Sequence, residues 1–243
     1  MKAFYEDHQT DIDVVSRRIA QICRIAADRS PQRILDIACG RGTLLRRLKD
    51  ALPASELRGV DIAERSVDAA RALGIDAQVA DVTNTLPFAD GSQDCVIFGE
   101  VIEHIVDPDA ALIEIARVLA IDGMLIVSTP NIASWINRVL LLFGIQPVGT
   151  ETSLHVNLGR RYRAFGQWNT TQGHLKLFTI DALREMLGAN GYIVEHVEGT
   201  TFYPPNRFEA LDVAFSAMPA LASNFIVAAR NTGSRRTVYP GQA

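Results

Sequence analysis

Three side chains able to bind a metal or move a proton lie within one short stretch, E-V-I-E-H-I at residues 100–105. Glu100, Glu103 and His104 supply two hard oxygen ligands and one imidazole, a donor set that suits a divalent cation. If the stretch begins a helix, all three side chains share one face. Without a metal, His104 has the chemistry of a general base. The simplest alternative is that the glutamates favour a helix N-terminus and the histidine only packs.

The elements around this stretch determine where its side chains lie. From about residue 30 to Pro130, short apolar runs rich in Val and Ile alternate with segments of helical periodicity. Such alternation predicts right-handed βαβ crossovers, and hence a doubly wound α/β fold with a mostly parallel sheet covered on both faces. The run Cys95–Phe98 directly precedes residues 100–105, which places them at the carboxyl end of a buried strand. Ligands of such sheets bind at that end.

Length and composition predict one domain. The 243 residues are 48% hydrophobic and carry a net charge of −4, which gives no general attraction to nucleic acid or anionic membranes. We predict a domain at 1–231, with a leading helix at 11–28 and a substrate lid at 131–175, and a flexible tail at 232–243. The three cysteines lack disulfide or zinc spacing, and no apolar run could span a bilayer. A cytoplasmic protein is expected, with at most weak peripheral membrane contact.

A glycine turn follows the first predicted strand, in the sequence D-I-A-C-G-R-G at residues 36–42. Gly40 and Gly42 let the backbone approach a ligand closely, and the helix after them presents unpaired N–H groups. Asp61 ends the next strand, where a carboxylate accepts the hydroxyl protons of a ribose. The turn has no lysine, and Ala38 stands at the first glycine of the G-x-G-x-x-G pattern. The ligand therefore need not be a phosphate.

Five segments, in order, resemble the motifs of the class I S-adenosylmethionine (SAM)-dependent methyltransferases. They are I-L-D-I-A-C-G-R-G, V-D-I after the second strand, A-D-V after the third, the segment from L-P-F-A-D-G to E-V-I-E-H-I, and L-I-V-S-T-P-N at the fifth. The resemblance covers residues 30–130 strongly, and the final helix and two strands more loosely. It implies a seven-stranded Rossmann-like sheet, a lid inserted after the fifth strand, and SAM as the cofactor.

The resemblance also implies cofactor contacts residue by residue. The glycine turn would line the methionine moiety and the ribose edge, Asp61 would hold the ribose hydroxyls, and the end of the third strand would contact the adenine. Alanine at position 38, where the family often has glycine, is expected to cost little because it restricts φ at one position only. The implied cofactor-binding residues are Asp36, Ala38, Gly40, Gly42, Asp61, Ile62, Asp81, Val82 and Glu100.

The E-x-x-E-H pattern indicates which group within this family the sequence resembles. It is similar to the pattern after the same strand in the ubiquinone-biosynthesis O-methyltransferases, which also carry a downstream histidine before Lys and Phe. Q-G-H-L-K-L-F at residues 172–178 is similar to that second feature. The resemblance implies His104 and Glu103 as catalytic residues. It also implies a candidate site for Mg²⁺, Mn²⁺ or Zn²⁺ formed by Glu100, Glu103, His104 and His174, with His155 in reserve.

These residues predict transfer of a methyl group to an oxygen of a small molecule, either a phenol or catechol or a sugar hydroxyl. Small-RNA 3′-end 2′-O-methyltransferases share E-x-x-E-H, so RNA is an alternative acceptor, although the acidic balance and the lack of an extended basic stripe argue against it. A SAM-binding protein without turnover is the third hypothesis. The aromatic residues of the predicted lid and Arg160, Arg161 and Arg163 are candidates for selecting the acceptor.

Overall fold

The computed structural model describes residues 17–156, 158–159, 171–201 and 208–234. Within these residues the chain forms a seven-stranded sheet flanked by helices. The strands are β1 Arg33–Ile37, β2 Glu56–Asp61, β3 Asp76–Val79, β4 Gln93–Gly99, β5 Leu119–Pro130, β6 Tyr192–Thr200 and β7 Asn224–Asn231. The α-helices are α1 Arg17–Ala27, α2 Thr43–Ala51, α3 Glu64–Ala72, α4 Pro108–Val118, α5 Trp135–Leu142, α6 Ile180–Ala189 and α7 Glu209–Ser216, and a 3₁₀ turn spans Ile102–His104.

The order of the strands creates the crevice where a ligand can bind. They lie in the order β3-β2-β1-β4-β5-β7-β6, and β1 pairs in parallel with both β2 and β4. The chain therefore moves outward from β1 to β3 and then returns to place β4 on the other side of β1. Loops after β1 and β4 leave the sheet in opposite directions at this switch point, which opens a crevice at the carboxyl edge.

Each face of the sheet carries its own hydrophobic core. On one face, here called the α1 face, helices α1, α2 and α3 pack against alternate strand residues; its members include Ile22, Ile25, Leu48, Val67, Ile34, Cys95, Ile97 and Ile126. On the other, here called the α4 face, helices α4 and α6 pack; its members include Leu112, Ile115, Leu183, Leu35, Phe98, Val127 and Phe225. Since the central strands are buried on both sides, their sequences are continuously apolar, as in parallel sheets generally.

The predicted α/β architecture with a mostly parallel sheet is confirmed. Strand β7 runs antiparallel to both of its neighbours, and the other pairs are parallel. One difference is helix α7, which lies between β6 and β7, where the sequence patterns predict no helix. Of the predicted leading helix, α1 forms part, and residues 11–16 lie outside the described residues. No helix in the described part of the chain is both long and apolar enough to cross a membrane.

The described part of the predicted lid is tied to the sheet edge at both ends. Asn131, the first residue of the segment, forms a parallel β-bridge with Phe178, which lies just after the segment ends. Helix α5 begins after Ser134, whose hydroxyl accepts a hydrogen bond from the N–H of Asn137. The side chain of Asn137 then bonds to the backbone of Val148. The predicted selectivity residues Arg160, Arg161, Arg163, Tyr162, Phe165 and Trp168 lie outside the described residues.

Candidate active site

The turn between β1 and α2 has the conformation that its glycines allow. Ala38, Gly40 and Gly42 have φ values of 59°, 54° and 80°. A Cβ at Gly40 would meet nothing within 4 Å, so this residue borders open space, whereas a Cβ at Gly42 would lie 2.0 Å from Ile75 Cδ1. The left-handed conformation at Ala38 costs a residue with a Cβ about 1–2 kcal/mol. Alanine at this position is therefore more strained than its sequence context suggested.

Asp61 holds this turn in place. Its carboxylate accepts hydrogen bonds from the N–H of Gly40 at 2.9 Å and of Ala63 at 2.8 Å. The side chain is buried, and that burial raises the pKa of Asp61 despite the opposing effect of the backbone N–H groups. The structure thus brings together the predicted ribose carboxylate and the predicted glycine turn.

Asp36 lies on the α1 face near Asp61 and Arg18. Complete burial, together with the charge of Asp61, raises the pKa of Asp36 to about 8, and the charge of Arg18 opposes this only in part. Burial of the Cys23 thiol, with a smaller effect of Asp36, raises the pKa of that thiol to about 11. Asp36 is therefore a buried acid that is largely protonated near neutral pH.

The remaining predicted adenine contacts lie at the carboxyl ends of β2 and β3. Ile62 follows Asp61 directly, and the N–H of Ala80 donates to the carbonyl of Asp61 at 3.0 Å. Asp81 caps the next turn by accepting hydrogen bonds from the N–H and hydroxyl of Thr83. Val82 is buried beside this turn. These residues share the edge of the sheet with the glycine turn, as the resemblance implies.

Glu100 turns the chain out of β4. It has a φ of 57°, and its N–H donates to the carbonyl of Ser128 at 2.8 Å. Its carboxylate accepts from Asn224 Nδ2 at 3.1 Å and lies 3.4 Å from Arg18 Nη1. Residues 100–104 therefore do not begin an α-helix, and the expected common helical face of Glu100, Glu103 and His104 does not exist. A left-handed residue followed by one 3₁₀ turn separates Glu100 from the other two.

Glu103, His104 and His174 come together on the α4 face. Their nearest ligand atoms all lie within 4.8 Å of one another, and His104 Nε2 is 3.9 Å from Glu103 Oε1. The two rings lie 4.8 Å apart between centroids. Three of the four predicted metal ligands are thus adjacent, and Glu100 is not part of this group.

Backbone carbonyls fix the orientation of both imidazoles. His104 Nδ1 lies 3.1 Å from the carbonyl oxygen of Gly173, and His174 Nδ1 lies 2.9 Å from that of Gly149. A carbonyl can only accept, so each Nδ1 carries the proton, and in the neutral ring Nε2 presents a lone pair. Burial, with a smaller effect of His174, lowers the pKa of His104 to about 4, which keeps this ring neutral at physiological pH.

Glu103 is the most deeply buried member of the group, with no exposed surface. Thr129 donates a hydrogen bond to its Oε2 at 3.0 Å, but Oε1 has no hydrogen-bond partner. Burial, then the charge of Glu100, raises the pKa of Glu103 well above its ordinary value. A buried carboxylate oxygen without a donor costs free energy unless a proton or a cation neutralises it. Either a proton or a cation on Glu103 Oε1 would therefore stabilise this group.

Two residues that sequence reasoning missed position members of this group: Glu151 orders the loop that carries His174, and Thr129 binds Glu103. The carboxylate of Glu151 accepts hydrogen bonds from three successive backbone N–H groups, those of Gln172, Gly173 and His174. The carbonyl of Glu103 accepts from the N–H groups of the two residues after His174. Thr129, the second missed residue, follows the apolar run of β5. Thr129 lies near the carboxyl end of β5, the strand that pairs with β4, and this position could have identified it from the sequence. No sequence pattern marks Glu151.

The reserve ligand lies elsewhere. His155 is exposed in the lid, and its backbone N–H donates to the Ser153 hydroxyl. It is not part of the group formed by Glu103, His104 and His174.

Part of this chain matches a known family model. Residues 35–127 match the family model described as a methyltransferase domain. A ubiquinone biosynthesis O-methyltransferase of Mesorhizobium japonicum is 27% identical over 197 residues, which is 79% of this chain and 72% of the relative. A ubiquinone/menaquinone biosynthesis C-methyltransferase of Desulfotalea psychrophila is 32% identical over 102 residues, 40% of this chain and 41% of the relative.

Solved structures agree on the fold. A SAM-dependent methyltransferase from Archaeoglobus fulgidus superimposes with a TM-score of 0.61 and 18% identity, and the match covers 94% of this chain and 98% of that one. In four curated matches, the C-methyltransferase among them, the shared segment spans only 30% to 49% of the relative's length. The match to those relatives therefore covers less than half of each of them.

Proposed function

Since the chain belongs to the class I SAM-dependent methyltransferases, we propose that it methylates an oxygen of a small-molecule acceptor with the help of a divalent metal. SAM, when bound, supplies an electrophilic methyl group on a sulfonium. The observation that carries the proposal is the group of Glu103, His104 and His174 at the carboxyl end of β4. This group lies beside the crevice at the switch point of the sheet, where ligands of such folds bind.

The cofactor end of the crevice has the features that the proposal needs. Gly40 borders open space, so a ligand can approach the backbone there. Asp61 stands at the end of the neighbouring strand, and Asp81 and Val82 stand beyond it. A carboxylate at this position suits the paired hydroxyls of a ribose. We assign Asp36, Ala38, Gly42 and Ile62 to the same cofactor surface, and Glu100 to its boundary with the acceptor.

The residues of the group fit a metal by their donor chemistry. Glu103 Oε1 is buried and unpartnered, and each imidazole donates its Nδ1 proton to a backbone carbonyl. Metal-binding histidines usually have such a partner on the second nitrogen, because it fixes the tautomer and the ring. Two imidazoles and one carboxylate suit Zn²⁺ or Mn²⁺ better than Mg²⁺, and three protein ligands leave positions open for a substrate.

A metal held by this group would lower the pKa of an acceptor hydroxyl and so make its oxygen a better nucleophile. The chain's own residues do the rest of the positioning. Thr129 orients the carboxylate of Glu103, and Glu151 orders the loop that carries His174. The metal-free alternative uses His104 Nε2 as a general base. The lowered pKa of His104, about 4, makes this ring a weak base at neutral pH. We therefore prefer the metal-assisted mechanism to the general-base mechanism.

A chelator experiment tests the proposal. Activity against a panel of phenols, catechols and sugars should disappear in EDTA and return most fully with Zn²⁺ or Mn²⁺. His174→Ala should abolish the metal response, whereas the matched control His155→Ala, at an exposed histidine outside the group, should behave as wild type. Turnover that is unchanged in EDTA, with a pH–rate limb lost in His104→Ala, would replace the metal by a general base. SAM binding without turnover on any acceptor would contradict catalysis itself.

A further inference from the structure

Unpaired polar atoms are concentrated in a second place, on the α1 face. Seven buried side-chain nitrogen or oxygen atoms of the described residues lack a hydrogen-bond partner. One is Glu103 Oε1, discussed above. Four others belong to Gln21, Glu100, Thr200 and Asn224. Glu100 Oε1 lies 3.4 Å from Arg18 Nη1. Because native proteins leave few buried polar groups unpaired, the other three atoms in this neighbourhood need an explanation.

Hydrogen bonds and strand pairing place these four residues next to one another. Gln21 of α1 donates from Nε2 to the carbonyl of Gly199 at 3.0 Å, directly before Thr200 at the end of β6. Thr200 is the register partner of Asn224 at the start of β7. Asn224 donates from Nδ2 to Glu100 Oε2 at 3.1 Å. The connected set, here called the amide cluster, therefore lies beside the exit of β4, on the opposite face of the sheet from Glu103.

The orientation of both amides follows from their partners. Glu198 and the carbonyl of Gly199 can only accept, so the group of Gln21 that faces them is Nε2, and Oε1 is the unpaired atom. Glu100 likewise can only accept, so Nδ2 of Asn224 faces it and Oδ1 is unpaired. A flipped amide would not remove either unpaired atom. Two acceptor oxygens and the Thr200 hydroxyl thus lack donors.

The charge around the amide cluster selects the kind of donor. Glu100 lies 3.4 Å from Arg18 Nη1, which also donates to the Ser128 hydroxyl at 3.2 Å. Glu198, beside Gln21, forms an ion pair with Arg24. Both carboxylates are therefore already neutralised by a guanidinium. An added ammonium would leave an excess buried charge, whereas neutral hydroxyl groups would supply donors without one.

We propose that Gln21, Thr200 and Asn224 form a subsite for neighbouring hydroxyl groups of the methyl acceptor. The acceptor is then a polyol such as a sugar, because a sugar keeps several hydroxyl donors besides the oxygen that is methylated, whereas a phenol keeps none and a catechol keeps one. This inference rests on the proposed function and decides between the two acceptor classes that it leaves open. Gln21, Thr200 and Asn224 are each at most 9% exposed, so bulk solvent cannot supply the missing donors freely.

Thermal stability of the protein without ligand gives the first test. Thr200→Val keeps the shape and removes a buried hydroxyl that has no partner, so Tm should rise by about 2–4 °C. The matched control is Thr171→Val: that side chain is also buried, at 4% exposed, but its hydroxyl donates to the carbonyl of Leu154 at 2.8 Å. Its Tm should fall. An equal fall in Thr200→Val would show that a structural partner, such as a buried water, satisfies the hydroxyl, and would overturn the subsite.

Ligand binding gives the second test, on protein loaded with S-adenosylhomocysteine. Methyl α-D-glucopyranoside and catechol serve as probes in saturation-transfer NMR titrations. The glucoside should bind wild type and Thr200→Ser alike, and should bind Thr200→Val about fivefold more weakly, the effect of one hydrogen bond. The subsite would be overturned if the glucoside does not bind, or if its affinity is the same for wild type and Thr200→Val. Failure of wild type to bind S-adenosylhomocysteine would instead refute the proposed function, and the Tm comparison would still decide the subsite.

Discussion

Asp61 and Glu103 are both buried carboxylates at the carboxyl edge of one sheet, yet their oxygen atoms are satisfied very differently. Asp61 accepts two backbone N–H groups, at 2.9 and 2.8 Å. Glu103 accepts one hydroxyl at 3.0 Å and leaves its second oxygen without a donor. The cofactor region around Asp61 therefore has its carboxylate satisfied within the fold, whereas in the region around Glu103 one carboxylate oxygen has no donor among the described residues.

The two regions also differ in how far apart their parts lie along the chain. Asp61 bonds to residues 21 positions before it and 2 after it. The group around Glu103 depends on a contact between His104 and Gly173, 69 positions away. A local arrangement forms with the strand and turn themselves, but the distant one requires the lid segment to return to the sheet edge. The region around Glu103 should therefore be more easily disrupted by mutation than the cofactor region.

The largest expected effect is that of Glu103→Gln. The amide keeps the volume but loses the charge that a cation needs, so calorimetry should show Zn²⁺ or Mn²⁺ binding at least about 100-fold weaker, with a similar loss of rate. SAM affinity should stay nearly unchanged, because the cofactor region is already satisfied. Loss of SAM affinity in step with metal affinity would show that the two regions do not act separately.

The next effect concerns Asp36, whose pKa is about 8 in the folded protein and 3.8 as an ordinary value. Between these values the folded state binds more protons than the unfolded state, so wild-type stability falls as pH rises, by at most about 1.4 kcal/mol per pH unit. Asparagine does not titrate. The stability of Asp36→Asn relative to wild type should therefore increase from pH 4 to pH 8 and level off above, in urea denaturation at each pH. A difference that is constant with pH would show that Asp36 is ionised in the fold.

Sequence patterns predicted the arrangement of Asp61 and the glycine turn, but much less of the arrangement around Glu103. The glycine turn and Asp61 follow directly from strand ends, because apolar runs and glycines mark those ends. The position of Glu100 did not follow: its left-handed φ of 57° depends on the N–H bond to Ser128 on β5, and no glycine marks it. His174 was suggested by resemblance alone. Glu151 acts through a carboxylate in the lid, and a single acidic residue in a loop has no pattern to identify it.

A smaller effect is expected from Asp61→Ala, which tests the cofactor region. SAM binding should weaken by about 1–3 kcal/mol, the range for losing hydrogen bonds to a charged acceptor. Part of that loss should come from the glycine turn, since the N–H of Gly40 loses its partner. Asp76→Ala is the control, because Asp76 is exposed at the far end of β3, near Arg58. Calorimetry that gives equal SAM affinities for the two variants would remove the cofactor role of Asp61.

The smallest expected effect is at Ala38, where the cofactor region carries strain. The left-handed φ of 59° costs a residue with a Cβ about 1–2 kcal/mol. Glycine avoids this cost, but it loses more conformational entropy on folding, which destabilises the fold by about 0.5–1 kcal/mol. Ala38→Gly should therefore raise the free energy of unfolding by up to about 1 kcal/mol, measured in urea. Gly42→Ala, the opposite change in the same turn, should lower it, because its Cβ would lie 2.0 Å from Ile75 Cδ1. Destabilisation by both changes would mean that Ala38 is not left-handed in solution, and that the turn reaches this conformation only when a ligand binds.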